Sequence, residues 1–457
     1  MSKLISINPS NKKVLGGIEV STEKEIKEKI TQGHKAKSGW RGLGVEGRAK
    51  ILRKTIENIL RRKEEIASLA SQEMGMPITL SRADVDDSAH YFNWYLDNAE
   101  KYLDPEVIFE NEKIKHTILY EPIGVSANIV PWNFPTSNFV WSVGQSLVSG
   151  NVVVFKNSEE VPLSGKLVEE IFEESGLPKG IFSEIYGDGE VGKILVNGDI
   201  DIICFTGSTN TGKYLYKVAA EKLIRAFLEL GGSAPGIFFE DADIDRVLET
   251  IFANRFLYSG QICDGLKRLI VHKDVFNKTI EKLLERVRKA RVGDALDEKT
   301  EIGPLVSQRQ LERLEDQVEE AKSKGVKIVA GGKRAADLPG FFYEPTILTD
   351  IKPEMKVWKE EVFGPVLPVV TFESEEEAIK IANDTDYGLG SYIYTEDKER
   401  ARRVAEQIQT GMVSVNNASY LQPCSPFGGC KRSGIGREHG KFGFNELTQV
   451  KVIAEEK

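Results

Sequence analysis

The sequence predicts an α/β protein: a doubly wound parallel sheet, a second α/β domain beside it and a small β arm. Three observations carry this expectation. Between Ile123 and Gly232 the short apolar runs "GVSANIV", "NVVVFK", "IFSEIY", "DIICFTG" and "RAFLELGG" are separated by helix-length segments, the order that puts parallel strands in one sheet with helices on its faces. After Gly232 a second series follows, with "RLIVHK", "VKIVAGG", "VLPVVTF", "GSYIYT" and "GMVSVN" as its apolar runs. The chain has 457 residues, and single cores saturate at about 250 to 300 residues, so two or more domains are expected.

The elements follow in order. From Glu23 to Leu103 apolar residues recur at three- and four-residue intervals, as in "EGRAKILRKTIENILRRKEEIASLASQEMG", which predicts a helical region ending at a glycine stop. The stretch "VIFENEKIKHTILYEPIG" then alternates apolar and polar residues about a polar turn at Glu110 to Glu112, the pattern of a two-stranded ribbon. The tail "ELTQVKVIAEEK" alternates again and is a candidate partner for that ribbon. Several apolar runs of the first series end at Gly, Asn, Lys or Glu, where the carboxyl ends of parallel strands open onto a ligand crevice.

Composition narrows the function classes. Net charge is −9, and Lys and Arg are mixed with Asp and Glu along helix-like stretches such as "EKLLERVRKA", the signature of solvated helix surface and not of a nucleic-acid face. No apolar run approaches the roughly 20 residues of a membrane span. "MSKLISINPS" lacks the apolar core of a secretory signal, and four cysteines are too few for a disulfide framework, so a cytoplasmic, reduced protein is expected. His34, His90, His116, His272 and His439 stand apart, without the ligand spacing of a metal site. Cys424 and Cys430 read as structural.

Four stretches carry chemistry. Cys263 lies among small and polar neighbours in "SGQICDG", unlike Cys204 in its apolar run; alone, a cysteine is more often a small buried hydrophobe. Glu229 puts a carboxylate at the end of the apolar strand "RAFLEL", before two glycines, and a buried carboxylate is costly unless used or paired. In "PWNFP" the prolines fix a turn that presents Trp132 and Asn133 to the crevice, with the Asn133 amide a donor for an oxyanion. "FTGSTNTG" sets Gly207 and Gly212 about Ser208 at a helix start, which suits a pyrophosphate.

Taken together and in this order, "PWNFP", "FTGSTNTG", "ELGGSAP", "GQIC", "EEVFGPV" at Glu360, "NDTDYGLG" at Asn383 and "SPFGGCKRSGIGRE" at Ser425 resemble the NAD(P)-dependent aldehyde dehydrogenase superfamily from about Ile7 to Val452. The resemblance implies a dinucleotide-binding domain over 1–103 and 121–231, a catalytic domain over 232–438, and an oligomerisation arm and tail over 104–120 and 439–457. It further implies that Cys263 attacks an aldehyde, that Asn133 and the Cys263 N–H hold the oxyanion, and that Glu229, 34 residues before the cysteine, activates the water that hydrolyses the thioester. Members that release to coenzyme A commonly lack this glutamate, so the hydrolytic, acid-forming type is expected. By the same likeness Trp132, Lys156, Glu159, Gly187, Gly207, Ser208, Leu230, Glu361 and Phe363 would contact the cofactor. Glu159 would repel a 2'-phosphate, which favours NAD over NADP. No metal and no nucleic-acid or membrane partner is implied, and a homodimer or homotetramer is.

For the substrate, Phe134, Trp141, Asp264 and Phe427 are the candidates. Trp141 occupies the position aligned with the arginine of succinic semialdehyde enzymes, which removes a carboxylate clamp there. Asp264 adds negative charge beside the nucleophile unless Lys267 or Arg268 pairs with it, and Arg268 or Arg432 is a candidate for restoring positive charge. A small neutral or hydroxy-aldehyde is therefore expected, with succinic semialdehyde, a phosphorylating or coenzyme A-acylating reaction, and a non-enzymatic scaffold as alternatives.

Overall fold

The computed structural model describes residues 2–457. Four helices, Glu23–Gly42, Gly44–Arg61, Lys63–Met74 and Ile78–Leu103, make the expected helical region. Thr22 and Glu25 close a capping box at its start, and Gly75, with φ +83°, ends the third helix in the left-handed region. Leu52, Ile56, Phe92 and Tyr95 pack from these helices onto Phe139, Val143 and Leu147 of the helix Pro135–Val148. An N-terminal hairpin of Lys3–Ile7 and Val14–Glu19 precedes them and escaped the sequence reading. Its first strand turns Ile5 and Ile7 outward and buries Ser6, whose hydroxyl donates to Glu73 at 2.6 Å, so its apolar pattern does not mark a core face.

The first series of apolar runs forms one sheet. Its strands lie in the order Gly434–Ile435, Arg225–Glu229, Ile202–Thr206, Val125–Ile129, Val152–Lys156, Phe182–Ile185, all parallel except the first. Chain order reverses between Val125–Ile129 and Ile202–Thr206, and at such a switch point the strand ends splay into a crevice. "PWNFP" and "FTGSTNTG" follow these two strands, so the topology sets Trp132 and Asn133 on one side of the crevice and Gly207 and Ser208 on the other.

The second sheet runs Lys327–Ala330, Thr346–Thr349, Val366–Phe372, Leu266–His272, Ala234–Phe238, Tyr392–Tyr394, Ser414–Val415, with only Lys327–Ala330 antiparallel. Two of its strands were not legible. Ala234–Phe238 contains Pro235 and Gly236, residues that argue against a central strand. Here the register shifts at Pro235, and a Cβ on Gly236 would come within 2.5 Å of Leu266, so the glycine serves close packing. Thr346–Thr349 is only four residues long, too short to show a period.

The ribbon and tail form a third sheet in which Ile114–Pro122 pairs antiparallel with both Glu106–Glu110 and Thr448–Glu456. The turn falls at residues 111–113, one later than the expected Glu110 to Glu112, because the Asn111 side chain accepts from the Lys113 and Ile114 N–H groups. The tail is not all arm. Residues Gly440–Glu446 form a helix that buries Phe444 in the N-terminal helical core, and Gly434–Ile435 joins the first sheet beside Glu229.

Candidate active site

Around the crevice, the bare backbone at Gly207 leads into Ser208, which caps the 14-residue helix Thr209–Lys222 by accepting from the Thr211 N–H at 3.3 Å. A Cβ on Gly212 would lie 2.5 Å from Leu230, beside the strand end, and one on Gly187 2.2 Å from Val191 in the helix that follows it, so neither position tolerates a side chain. Lys156 ends its strand buried, with its ammonium 3.9 Å from Glu159, and burial lowers its pKa. Glu159 also faces Arg309 at 3.8 Å. Trp132 meets the Phe363 ring edge-on at 5.5 Å.

Cys263 sits on a loop at the amino end of Leu266–His272, opposite in sense to the first sheet, where the candidates lie past carboxyl ends. The loop is held by an unusual backbone: Tyr258, Ser259 and Gly260 all have φ between +54° and +68°, a run that is costly for the first two residues. Ser259 anchors it by donating to the Gly303 carbonyl at 2.7 Å, and the Gln261 side chain accepts from the Val306 N–H at 3.0 Å. A Cβ on Gly260 would meet the Gly364 carbonyl oxygen at 2.2 Å, which explains the glycine of "SGQIC". The Asn133 amide donates to the Gln261 carbonyl at 3.0 Å, and Asn138 donates back to Asn133 at 3.1 Å. The structure thus brings Asn133 onto the cysteine loop.

A cavity of about 400 Å³ ends at Cys263. Phe134, Trp141, Asp264 and Phe427 all line it, as expected, and so do Asp84, Asp87, Tyr91, Tyr258 and Tyr420, which the sequence reading missed. Asp84 and Asp87 sit one turn apart in a long amphipathic helix, where carboxylates look like solvated surface. Instead Asp84 is buried and accepts from the Ser137 hydroxyl and the Thr136 N–H; burial pushes it up to about 6.

Asp264 pairs with neither Lys267 nor Arg268, the alternative to an added negative charge beside the nucleophile. Its carboxylate accepts from Tyr420 at 2.8 Å, while Lys267 turns to Glu361 at 3.3 Å. Arg268 donates to the carbonyls of Ser233, Ile381 and Ala382, and Arg432 pairs with Asp386 at 2.6 Å. Neither arginine lines the cavity. Side-chain direction decides this: successive residues of the strand Leu266–His272 face opposite sides, so neighbours in sequence need not meet.

Glu229 ends Arg225–Glu229, buried with both carboxylate oxygens unpartnered. A Cβ on Gly428 would stand 2.5 Å from its Oε1, so the carboxylate lies against the turn that carries the cavity residue Phe427. Burial and the nearby Glu438 carboxylate push Glu229 well above the usual carboxylate range, and burial raises Glu438 as well. Burial, reinforced by Asp264, likewise raises the Cys263 thiol.

A doubly wound sheet with a crevice at its switch point, set against a cavity that a thiol lines, agrees with an oxidoreductase of the dinucleotide-dependent α/β class. The chain belongs to the aldehyde dehydrogenase family, whose profile matches residues 2–453. It is 38% identical to aminoaldehyde dehydrogenase 1 of Pisum sativum, over 99% of this chain and 92% of that protein. Glutarate-semialdehyde dehydrogenase of Pseudomonas aeruginosa is 35% identical over 98% of this chain and 92% of its own length. A solved aldehyde dehydrogenase from Bacillus cereus in complex with NAD+ superposes with a TM-score of 0.96 at 33% identity, covering 100% of this chain and 93% of that one. The protein is an NAD(P)-dependent aldehyde dehydrogenase.

Proposed function

We propose that the protein oxidises an aldehyde bearing a positive charge at its far end to the corresponding acid, through a covalent intermediate on Cys263. The observation that carries the substrate class is the lining of the cavity: it contains the carboxylates Asp84, Asp87 and Asp264 and no lysine or arginine. Aromatic faces from Tyr91, Trp141, Tyr258 and Phe427 suit an ammonium or quaternary ammonium group, and a carboxylate tail would meet the carboxyl groups of Asp84, Asp87 and Asp264. The pea relative's name, an aminoaldehyde dehydrogenase, agrees with this class. Small neutral and hydroxy-aldehydes come second.

In this reading the Cys263 thiolate adds to the carbonyl carbon, and the Asn133 amide with the Cys263 N–H stabilises the oxyanion. The residues present fit a dinucleotide: a bare-backbone helix start at Gly207 and Ser208, the buried Lys156 beside Glu159, Gly187 and Leu230 against the flanking helices, and Trp132, Glu361 and Phe363 toward the cysteine. When bound, the nicotinamide supplies the hydride acceptor. Glu229 then takes a proton from the water that attacks the thioester. NAD is the proposed cofactor, because the Glu159 carboxylate disfavours a second negative charge beside it.

Specificity constants for 3-aminopropanal, glyceraldehyde and succinic semialdehyde at fixed cofactor test the substrate class. The aminoaldehyde is expected to exceed the semialdehyde by more than about tenfold, roughly 1.4 kcal/mol, and Asp84→Asn with Asp87→Asn should narrow that gap. A tenfold preference for succinic semialdehyde in the wild type would sink the assignment.

The three-stranded sheet is proposed as a subunit contact. It leaves Val107, Ile108, Phe109, Val450 and Val452 between 46% and 61% exposed, and a small exposed sheet needs a cover. Light scattering is expected to give a multiple of the chain mass that falls on deleting residues 448–457. A monomeric mass for both forms refutes self-association.

A further inference from the structure

Lys267 has no role in the mechanism above, yet it lies four residues past Cys263 and is 1% exposed. An ammonium that deep is costly unless it is paired and used. Its Nζ is 3.3 Å from Glu361 Oε1 and 4.5 Å from the centroid of the Phe363 ring. The same carboxylate oxygen accepts from the Gly232 N–H at 3.1 Å. Gly232 in turn presses on the nucleophile loop so closely that a Cβ there would stand 2.5 Å from the Cys263 carbonyl oxygen. Ammonium, carboxylate, glycine and cysteine therefore form one contiguous unit beneath the crevice.

We propose that Lys267 is a positioning residue that sets the ionisation of Cys263, with Glu361 balancing its charge. The proposal rests on the reading of Cys263 as nucleophile. Asp264, Glu361 and Glu229 all act on the thiol to hold its proton, and Lys267 is the cation that opposes them. Arg255, also fully buried, faces Lys267 but spends its guanidinium on the carbonyls of Leu266 and Val362. Burial lowers Lys267 to about 8, so its charge is present at neutral pH and is lost as pH climbs past that value. The unit couples cofactor side and thiol side: whatever engages the Glu361 carboxylate alters how much of the Lys267 charge reaches the sulfur.

The test is the pH profile of Cys263 alkylation by iodoacetamide in the full chain without cofactor, read by peptide mass spectrometry so that the exposed Cys424 is scored separately. Lys267→Gln should slow alkylation at pH 7 about tenfold and match the wild-type rate well above pH 8, where the wild-type Lys267 charge is already lost. Lys267→Arg, which keeps its charge at every pH, should stay within about twofold of wild type at pH 7 and exceed it above pH 8. That gain keeps the proposal decidable even if Lys267→Gln does not fold. Unchanged alkylation at pH 7 in Lys267→Gln, or no gain above pH 8 in Lys267→Arg, overturns the proposal, as does equal slowing in the Gln and Arg variants, which would mean packing alone. If alkylation of Cys263 in the wild type leaves aldehyde oxidation intact, the nucleophile reading itself fails, a result distinct from any of these.

Discussion

Cys263→Ala is expected to lower aldehyde oxidation by about 10⁴-fold or more, because in the proposed mechanism the thiol forms the bond on which both later steps depend, and no other sulfur lines the cavity. That corresponds to about 5.5 kcal/mol of lost transition-state stabilisation. Cofactor affinity should stay within about twofold, since the proposed dinucleotide contacts Lys156, Glu159, Gly207 and Ser208 lie on the other sheet. Reduced-nicotinamide absorbance and quenching of tryptophan fluorescence measure the two separately. Oxidation at the wild-type rate would remove Cys263 from the chemistry; loss of dinucleotide binding would mean that the cysteine loop shapes the crevice.

Glu229→Gln should separate the two half-reactions. A burst of about one reduced nicotinamide per site is expected, followed by turnover about 10² to 10⁴ times slower, because attack and hydride departure precede the step that needs the base. A vanished burst would show instead that Glu229 activates the thiol. Both working groups act deprotonated and both are pushed up by burial, so wild-type rates should climb with pH above neutrality. In Glu229→Gln the burst should keep its rise with pH, which belongs to the thiol, while turnover loses the carboxylate's share.

The same carboxyl predicts a stability effect with a defined sign. Its folded pKa lies above its unfolded value, so its contribution to stability is full below about 4.5 and is lost as pH rises through the folded value. Between pH 6 and pH 9 the melting temperature of Glu229→Gln should therefore fall less than that of the wild type. Parallel declines in the two proteins would mean that Glu229 is ionised, or paired, throughout that range.

The parallel sheets were legible because buried parallel strands are continuous apolar runs, as in "NVVVFK" and "DIICFTG", and the glycine and proline punctuation after them marks where a crevice opens. Cys263, Glu229 and Asn133 stood out as candidates for a related reason: each is a polar or reactive residue where local pattern calls for something inert. Asp84 and Asp87 were not, because a helix carboxylate reads as solvated until the packing of Ser137 and Thr136 against it is known. The N-terminal hairpin hid behind outward-facing isoleucines, and Ala234–Phe238 behind a proline and a glycine that only neighbouring strands make acceptable.

By itself the sequence determined the fold class, the order of the strands along the chain and the identity of the chemical groups, since these follow from local periodicity, turn residues and side-chain chemistry. Tertiary structure alone decided which groups meet. Lys267 turns from Asp264 to Glu361, Asp264 is satisfied by Tyr420 from 156 residues away, and Glu229 comes to lie against Gly428. Each of these pairings depends on strand register and on which side of the sheet a side chain leaves, and in a protein whose sheet neighbours are distant in sequence, neither is encoded by adjacency.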